Sequence, residues 1–289
     1  MEAHDDPGLV AVLRVLGVEP EARLGHGGEA VVYALDGERV ARILHATGRA
    51  DDVVARQRLV AELVRAQPSY ALPEVLEVGA VDGRVYAIER RLRGRSLLDE
   101  LRAASGTARR RLIEAHLDTA AALGDLQLDA RPQFGDLVAD EPITAPIWRD
   151  YLAQKAAAGL QRAQPARRAI DAASLAAPFP EPARASFVHL DAFAGNMLTD
   201  GRAITAVLDV GATSVAGDRR FDPLASAVYL MSTEITPTAT TADHAAATGW
   251  LRNAGLLDWL EPTRRWLAAY WSFALDDHAL SAWCASVLG

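Results

Sequence analysis

The stretch His189–Gly211, HLDAFAGNMLTDGRAITAVLDVG, carries three polar side chains at spacings that suit phosphoryl transfer. Asp191 is followed five residues later by Asn196, and Asp209 lies a further 13 residues along the chain. Moving a γ-phosphoryl group needs an acceptor hydroxyl held in line and cations that bridge the phosphate oxygens. An aspartate can deprotonate the hydroxyl, and amide and carboxylate oxygens are ligands for Mg²⁺. The spacing therefore predicts Asp191 as catalytic base and Asn196 and Asp209 as metal ligands.

The pattern around these residues predicts a β-hairpin. A mostly apolar run covers 186–190, and two further runs cover 197–198 and 203–208. The last two flank Asp200-Gly201, a strong signal for a tight turn. The two metal ligands would lie at the open end of this hairpin, and Asp191 in the loop just before it. Rigid strands of this kind suit a metal site.

The H-x-D-x-x-x-x-N loop with its following D-x-G resembles the eukaryotic-like kinases, and more closely the aminoglycoside phosphotransferase group. That group usually reads His-Gly-Asp, then Gly-Asp, then an Asp followed by small or apolar residues. The matching positions are His189-Leu190-Asp191, Gly217-Asp218 and Asp222-Pro223-Leu224-Ala225. The ITAVLD segment is similar to the hygromycin kinases. A chance occurrence of H-x-D and D-x-G is the alternative, and the intervening hairpin argues against it.

The resemblance implies an α+β, two-lobed protein-kinase-like fold. Residues 1–92 would form a nucleotide-binding lobe with a five-stranded antiparallel sheet and one helix. Residues 93–289 would form a mainly α-helical lobe that carries the catalytic loop and binds the acceptor. The resemblance also implies Mg²⁺ as cofactor and ATP or GTP as phosphate donor.

The first ninety residues independently favour a small β lobe with a glycine loop. Gly25, Gly27 and Gly28 precede an apolar run over 30–35, a turn, and a second run over 39–44. Glycines let backbone N–H groups approach phosphate closely. A dinucleotide-binding G-x-G-x-x-A motif is the alternative, but it must open a helix, whereas this pattern indicates strands. The chain has no Gly-Lys-Ser/Thr, so a Walker A loop is excluded.

Arginine replaces the usual strand-three lysine of the resembled kinases. Lys155 is the single lysine among 30 basic residues, and Arg42 stands where the resemblance expects a phosphate-contacting lysine. A guanidinium can make that contact bidentately. Glu62, on a helix predicted over 51–67, is the candidate partner of Arg42. The alternatives are a surface arginine and a solvated helix charge.

The segment after the last predicted strand of the small lobe resembles the connection that meets the nucleotide base in kinases. It reads IERRLRGRSL from Ile88 to Leu97. The carbonyl of Glu89 and the N–H of Arg91 are the predicted base contacts. A solvated, arginine-rich linker is the alternative interpretation.

The acceptor is predicted to be a small molecule. Protein kinases carry an activation segment and an Ala-Pro-Glu after the D-x-G motif, and this chain has neither. In the resembled group, acceptor-binding carboxylates come from the helical lobe. The candidates here are Glu234, Asp258, Asp276 and Asp277, and exposed helix charges are the alternative for each.

Composition narrows the range of partners. The net charge of −8 argues against general nucleic-acid binding and suits a cationic acceptor. The single Cys284 cannot form an internal disulfide, which fits a reducing compartment. The acidic amino terminus is unlike a signal peptide, and no apolar run is long enough to span a bilayer. These features predict a cytoplasmic protein that binds neither nucleic acid nor membrane, and they leave its oligomeric state open.

Together these observations predict a small-molecule O-phosphotransferase that uses ATP or GTP and Mg²⁺. An aminoglycoside-like or other antibiotic is the first expected acceptor, and a sugar or amino-alcohol metabolite is the second. A pseudokinase that binds nucleotide without turnover is the alternative from another class, because Arg42 and Leu190 depart from the resembled pattern. A role in antibiotic resistance and one in metabolism both stay open.

Overall fold

The first lobe is built on a five-stranded antiparallel sheet, as the sequence predicts. The computed structural model describes residues 6–163 and 165–289 and orders these strands β1-β2-β3-β5-β4. They are β1 (Arg23–His26), β2 (Ala30–Ala34), β3 (Arg39–Leu44), β4 (Val75–Val81) and β5 (Arg84–Arg90). Asp82 and Gly83, between β4 and β5, have φ of 50° and 81°, as a type I′ hairpin turn requires. This Asp-Gly pair therefore sets the β4–β5 connection.

Two helices pack against this sheet. The first, α1 (Pro7–Leu16), begins after Asp6, whose carboxylate accepts two backbone N–H groups, and its buried Val12 packs on β2, β3 and β5. The second, α2 (Ala50–Leu63), begins one residue before its predicted start and ends four residues before its predicted end, where a 3-10 turn over Val64–Ala66 follows it. Its Val53 joins a cluster with the sheet, whereas its Leu59 joins the core of the second lobe. The helix α2 therefore connects the two lobes.

The second lobe is mainly helical, as predicted. Its helices are α3 (Leu97–Ala103), α4 (Gly106–Leu123), α5 (Trp148–Arg162), α6 (Ala172–Ala176), α7 (Phe221–Met231), α8 (Thr241–Asn253), α9 (Leu260–Tyr270) and α10 (His278–Leu288). Its short strands are β6 (Arg95–Ser96), β7 (Phe134–Asp136), β8 (Thr144–Ala145), β9 (Ser186–Val188), β10 (Met197–Thr199), β11 (Ile204–Val207) and β12 (Val215–Gly217). The predicted hairpin is β10–β11, and β6 adds to it as a third strand.

Aromatic side chains fill the core between α5, α7 and α9. Trp148, Phe221 and Trp266 are fully buried, and the ring of Phe221 meets the two indoles edge-on at 5.1 and 5.4 Å. Such edge-to-face pairs stabilise a core beyond the area they bury. The indole N–H of Trp266 donates to the Leu152 carbonyl at 2.9 Å. This packing fixes α5 and α7, two of the elements that form the wall of the cleft described next.

A deep cleft of about 1680 Å³ separates the two lobes. Its upper side is formed by the β1–β2 loop and β3. Its lower side is formed by the loop 189–196, called the catalytic loop here after the resembled kinases, by α5 and by the segment after α9. Within the described residues, no helix combines the length and apolar composition that crossing a bilayer requires.

Candidate active site

The structure brings Asp191, Asn196 and Asp209 together on the floor of the cleft. The Asn196 side-chain amide donates to the Asp191 carbonyl at 2.9 Å and to Asp191 Oδ2 at 3.0 Å. The Leu208 N–H donates to the Asn196 carbonyl at 2.8 Å, which closes the open end of the hairpin. Because Asn196 Nδ2 makes both contacts with Asp191, its Oδ1 is left for another partner, as a metal ligand requires.

Buried hydrogen bonds hold the backbone of the catalytic loop. Asp222 accepts from the N–H groups of His189 and Leu190 at 2.8 to 3.0 Å. Leu190 is fully buried with φ of 63°, a conformation that glycine adopts more easily than leucine. The hydroxyl of Tyr229 donates to the Leu190 carbonyl at 2.9 Å. These contacts explain how a leucine occupies the position where the resembled group usually has glycine.

His189 has a structural place in the loop. Its Nε2 lies 2.8 Å from the Leu208 carbonyl, and the ring is fully buried. Burial lowers the pKa of His189, so the neutral imidazole donates from Nε2 to that carbonyl. His189 therefore ties the loop before the hairpin to the end of β11.

The pKa values of Asp191 and Asp209 are shifted in opposite directions. Burial, with the negative charge of Asp209 beside it, raises the pKa of Asp191 to about 8. Burial also disfavours the Asp209 carboxylate, but the Arg42 guanidinium outweighs it and holds the pKa of Asp209 below its ordinary value. Opposed pKa shifts in one cleft are typical of acid–base sites.

Arg42 lies in the cleft as predicted for the strand-three position. Its Nη2 donates to Asp209 Oδ1 at 2.9 Å and to Glu29 Oε2 at 3.1 Å. The side chain is only 13% exposed, so it is not a solvated surface arginine. Arg42 therefore joins the small lobe to the catalytic floor.

The prediction that Glu62 pairs with Arg42 is wrong. The Glu62 carboxylate accepts from the Asp129 N–H, and Arg131 Nη2 lies 2.8 Å from it, so it points toward the 129–131 loop. The residue of α2 that faces the site is Arg56, six positions earlier. The helical pattern showed an apolar stripe but did not indicate which flanking charge lies at the cleft.

Arg56 pairs instead with Glu89 of β5. The Nη2–Oε1 distance is 3.7 Å, and each side chain is 9% exposed. Burial raises the pKa of Glu89, whereas Arg42 and Arg56 oppose that rise. Burial and the neighbouring Arg42 lower the pKa of Arg56. A carboxylate on β5 thus lies between two guanidinium groups, where the prediction expected a carboxylate on α2.

The glycine loop spans β1 and β2 above this floor. Gly25, Gly27 and Gly28 all line the cleft. The Gly27 N–H donates to the Ala30 carbonyl at 2.9 Å, so the loop closes as a hairpin between two strands. The dinucleotide-binding alternative required a helix here and is excluded.

The predicted contacts with the nucleotide base need one correction. The Arg91 N–H donates to the Glu38 carbonyl at 2.8 Å and is therefore not available to a base. Glu89 lies within the sheet, paired with Val40 and Val75, and its side chain lines the cleft. In the described part of the chain, the N–H of Leu92, which also lines the cleft, donates to no other group. The antiparallel pairing of β3 and β5 thus continues one step further, from Arg39–Arg90 to Glu38–Arg91, which a pattern of consecutive arginines did not reveal.

The four predicted acceptor-site carboxylates divide into two pairs. Glu234 and Asp277 line the cleft, although Asp277 also caps α10 by accepting the Leu280 N–H at 2.9 Å. Asp258 and Asp276 are exposed and do not line it. Asp258 lies on a separate short helical turn, and Asp276 precedes the capping residue of α10, so each side chain projects into solvent.

Sequence reasoning missed the wall of the cleft opposite the glycine loop. Asp136, Lys155, Tyr229, Tyr270 and Trp271 line it. They come from four separate elements, so no local motif joins them. The one available signal was that Lys155 is the only lysine in a chain otherwise rich in arginine.

The fold and the cleft define a kinase-like phosphotransferase, and sequence comparison agrees. The model of the phosphotransferase enzyme family matches residues 21–275, and the chain belongs to that family. A comparison with curated proteins finds no match.

Solved structures share the fold at low sequence identity. The GDP and kanamycin complex of APH(2")-IIia has a TM-score of 0.62 at 15% identity, covering 92% of this chain and 90% of that one. The gentamicin complex of APH(2")-IIa has 0.62 at 14%, covering 98% and 95%. APH(3'')-Id from Streptomyces rimosus with ADP and streptomycin has 0.55 at 15%, covering 91% and 97%. These matches confirm the predicted two-lobed fold.

Proposed function

We propose that this protein transfers the γ-phosphate of ATP or GTP to a hydroxyl of a small polar molecule. The observation that carries the proposal is the convergence of Asp191, Asn196 and Asp209 in one cleft beneath the glycine loop. Only 11 residues lie between Asp209 and the start of α7 at Phe221, which leaves no long segment to dock a peptide. An aminoglycoside-like or other antibiotic is the first acceptor to test, and a sugar or amino-alcohol metabolite the second.

Each residue of the floor has a proposed role. Asp191 accepts the proton of the acceptor hydroxyl, and Asn196 Oδ1 with a carboxylate oxygen of Asp209 binds Mg²⁺. Two protein oxygens suit Mg²⁺, which normally takes its remaining ligands from phosphate and water. Within the described residues there is no cluster of three His, Cys, Asp or Glu side chains that would hold a metal without such help. When bound, the ion neutralises charge on the transferring phosphate.

The donor nucleotide is proposed to lie between the glycine loop and the floor. Gly25, Gly27 and Gly28 let the loop backbone approach the phosphates closely. The Gly27 N–H donates to Ala30, so the Gly28 N–H is the proposed phosphate contact, and Arg42 neutralises phosphate charge. The Leu92 N–H replaces the Arg91 N–H as the proposed base contact. The similar structures named above hold GDP or ADP, which supports a nucleotide site but leaves the choice of base open.

The division of labour between lobes follows the same proposal. Residues 1–92 bind the nucleotide. Residues 93–289 supply the catalytic loop and the wall of the cleft opposite the glycine loop, which is the proposed acceptor wall. The single Cys284 is buried, which suits a reducing compartment, and the proposed activity is cytoplasmic.

The test is phosphorylation of an acceptor panel, read as a mass gain of one phosphate. Kanamycin, gentamicin, streptomycin and neutral sugars are incubated with the enzyme, Mg²⁺ and ATP or GTP. Asp191→Ala should lower turnover about 10²- to 10⁴-fold, as loss of a general base does, while nucleotide affinity is retained. The exposed Asp52→Ala is the matched control. Full activity of Asp191→Ala would exclude the assigned base, and nucleotide binding without transfer to any acceptor would favour the pseudokinase.

A further inference from the structure

The only lysine of the chain lies on the acceptor wall of the cleft. Lys155 is on α5, and its Nζ is 2.6 Å from Asp136 Oδ1. The side chain is 17% exposed and lines the cleft. All other basic residues are arginines, so this ammonium group is chemically distinct from every other cation of the site.

Asp136 fixes the ammonium group but offers nothing to an acceptor. Its Oδ1 also accepts from the Tyr151 hydroxyl at 2.9 Å, and its Oδ2 accepts from the Ile143 N–H at 3.0 Å. The carboxylate is 2% exposed. A lysine ammonium carries three N–H donors, and the described residues accept only the one that Asp136 takes. The remaining donors of Lys155 are therefore available to a molecule in the cleft.

The ammonium group lies among aromatic rings that reach the catalytic loop. Lys155 Nζ is 5.9 Å from the centre of the Tyr270 ring. The neighbouring Trp271 donates its indole N–H to the Tyr229 hydroxyl at 2.8 Å, and that hydroxyl donates to the Leu190 carbonyl. A molecule on this wall would thus lie beside the residue that precedes Asp191.

Apart from Asp136, the carboxylates of this half of the cleft lie at its rim. Glu141 and Asp277 are exposed, and Glu234 is half-buried and contacts Ser286. Arg162, seven residues after Lys155 on the same helix, adds a second cation at the exposed end of the wall. The interior of this wall therefore presents one ammonium group, paired with Asp136, among aromatic rings. The carboxylates of Glu141, Glu234 and Asp277 and the guanidinium of Arg162 lie nearer the rim.

We propose that the acceptor carries a carboxylate, which binds the Lys155 ammonium while its carbon skeleton packs on Tyr270 and Trp271. This inference rests on the proposed phosphotransferase function and names the chemical class of its acceptor, which puts carboxylate-bearing molecules ahead of the cationic aminoglycosides in the panel. A carboxylate accepts the free N–H donors of Lys155 in charge-assisted hydrogen bonds. A purely cationic acceptor would instead place like charges together at this point. The hydroxyl of the acceptor then extends toward Asp191.

The experiment compares acceptors that differ only in the carboxylate. D-glucuronate is paired with D-glucose and D-gluconate with D-sorbitol, and kanamycin represents a cationic acceptor. The wild type should favour each carboxylate by about tenfold or more in kcat/KM, and Lys155→Met should lose roughly 10- to 100-fold for the carboxylates alone. Arg149→Gln, at an exposed arginine of the same helix that does not line the cleft, is the matched control and should change the ratio by less than about 3-fold.

Two further variants separate recognition from folding. Lys155→Met leaves Asp136 buried without its cation, so Asp136→Asn/Lys155→Met removes both charges together. Lys155→Arg retains the charge and should retain part of the preference for carboxylates. Glucuronate binding is also measured without turnover, by quenching of the fluorescence of Trp271 and the other tryptophans.

The outcomes distinguish this inference from the proposed function. Equal use of carboxylate and neutral acceptors, unchanged by Lys155→Met, overturns the inference and leaves phosphotransfer intact. If no acceptor is phosphorylated, the proposed function fails, and glucuronate binding that Asp136→Asn/Lys155→Met abolishes still supports the site. Absence of both turnover and carboxylate binding overturns the inference as well.

Discussion

The catalytic floor and the acceptor wall of the cleft arise from the sequence in different ways. The catalytic floor takes its three functional side chains from 19 consecutive residues, Asp191 to Asp209, joined by one hairpin. The acceptor wall takes Asp136, Lys155 and Tyr270 from three elements that tertiary packing brings together. In the proposed function, the floor would perform chemistry that many acceptors share, and the wall would select the acceptor. A local motif therefore identifies the reaction, whereas the substrate depends on long-range packing.

The largest expected effect comes from the floor. Asp209→Asn removes the carboxylate that the proposed site uses to bind Mg²⁺, and we expect kcat to fall by about 10³-fold or more, since charge neutralisation by the ion contributes several kcal/mol to such reactions. Turnover measured against Mg²⁺ concentration checks the result. The exposed Asp52→Asn should leave the rate unchanged. A loss below about tenfold would mean that the motif does not carry the reaction.

The next effect tests the buried Arg56–Glu89 pair, which the structure shows in place of the predicted Arg42–Glu62 pair. Arg56→Met leaves the Glu89 carboxyl buried without a partner on α2, and we expect the free energy of unfolding to fall by about 3–5 kcal/mol. Denaturant unfolding measures it. Arg56→Met/Glu89→Gln should recover much of the loss, because no charge is then left behind. Arg102→Met breaks an exposed pair with Asp99 and should cost at most about 1 kcal/mol. Equal effects at the two sites would contradict a buried pair.

Prediction from sequence succeeded where local chemistry decides the structure. The Asp200-Gly201 turn predicted the β10–β11 hairpin, and the apolar runs over 30–35 and 39–44 predicted β2 and β3. The placement of Asp191, Asn196 and Asp209 in one cleft also followed from spacing, because a short hairpin leaves few ways to separate its ends.

Prediction failed where a side chain's direction depends on distant packing. Glu62 and Arg56 are both charged positions on α2, and their directions are set by distant partners, Arg131 for Glu62 and Glu89 for Arg56. The Arg91 N–H is occupied by Glu38, 53 residues earlier, which no local pattern indicates. Lys155 was visible as a unique residue, but its partner Asp136 lies on another element.

The pH dependence of turnover sharpens the description of the floor. With its pKa raised to about 8, Asp191 is an active base only above that pH, so kcat/KM at low Mg²⁺ should fall about tenfold per pH unit below it. Mg²⁺ on Asp209 offsets the negative charge that contributes to the shift, so saturating Mg²⁺ should move this limb to lower pH. Rate profiles at two Mg²⁺ concentrations test this. If kcat/KM falls only near the ordinary pKa of an aspartate at both Mg²⁺ concentrations, the raised pKa of Asp191 is contradicted.

The same shift predicts a dependence of stability on pH. A pKa higher in the folded state than in the unfolded state means that protonated Asp191 stabilises the fold, and this contribution is lost as the pH rises from about 4 to about 8. Asp191→Asn has no carboxyl proton to lose in this range. Its free energy of unfolding minus that of the wild type should therefore increase as the pH rises from about 4 to about 8. Parallel denaturant titrations measure the difference. If that difference in the free energy of unfolding instead decreases as the pH rises, the pKa of Asp191 is lowered in the folded state rather than raised.

The smallest effect concerns a hydrogen-bonded path that joins the acceptor wall to the catalytic loop. Tyr229→Phe removes the hydroxyl between the half-buried Trp271 indole and the buried Leu190 carbonyl, and both groups lose this partner, at a cost of about 1–3 kcal/mol in stability. Because Leu190 holds a left-handed conformation next to Asp191, kcat should fall several-fold as well. Tyr33→Phe is the matched control, since the Tyr33 hydroxyl is buried without a partner in the small lobe. If both variants behave alike, the acceptor wall and the catalytic loop are not coupled through Tyr229, and acceptor binding orients the base by direct contact alone.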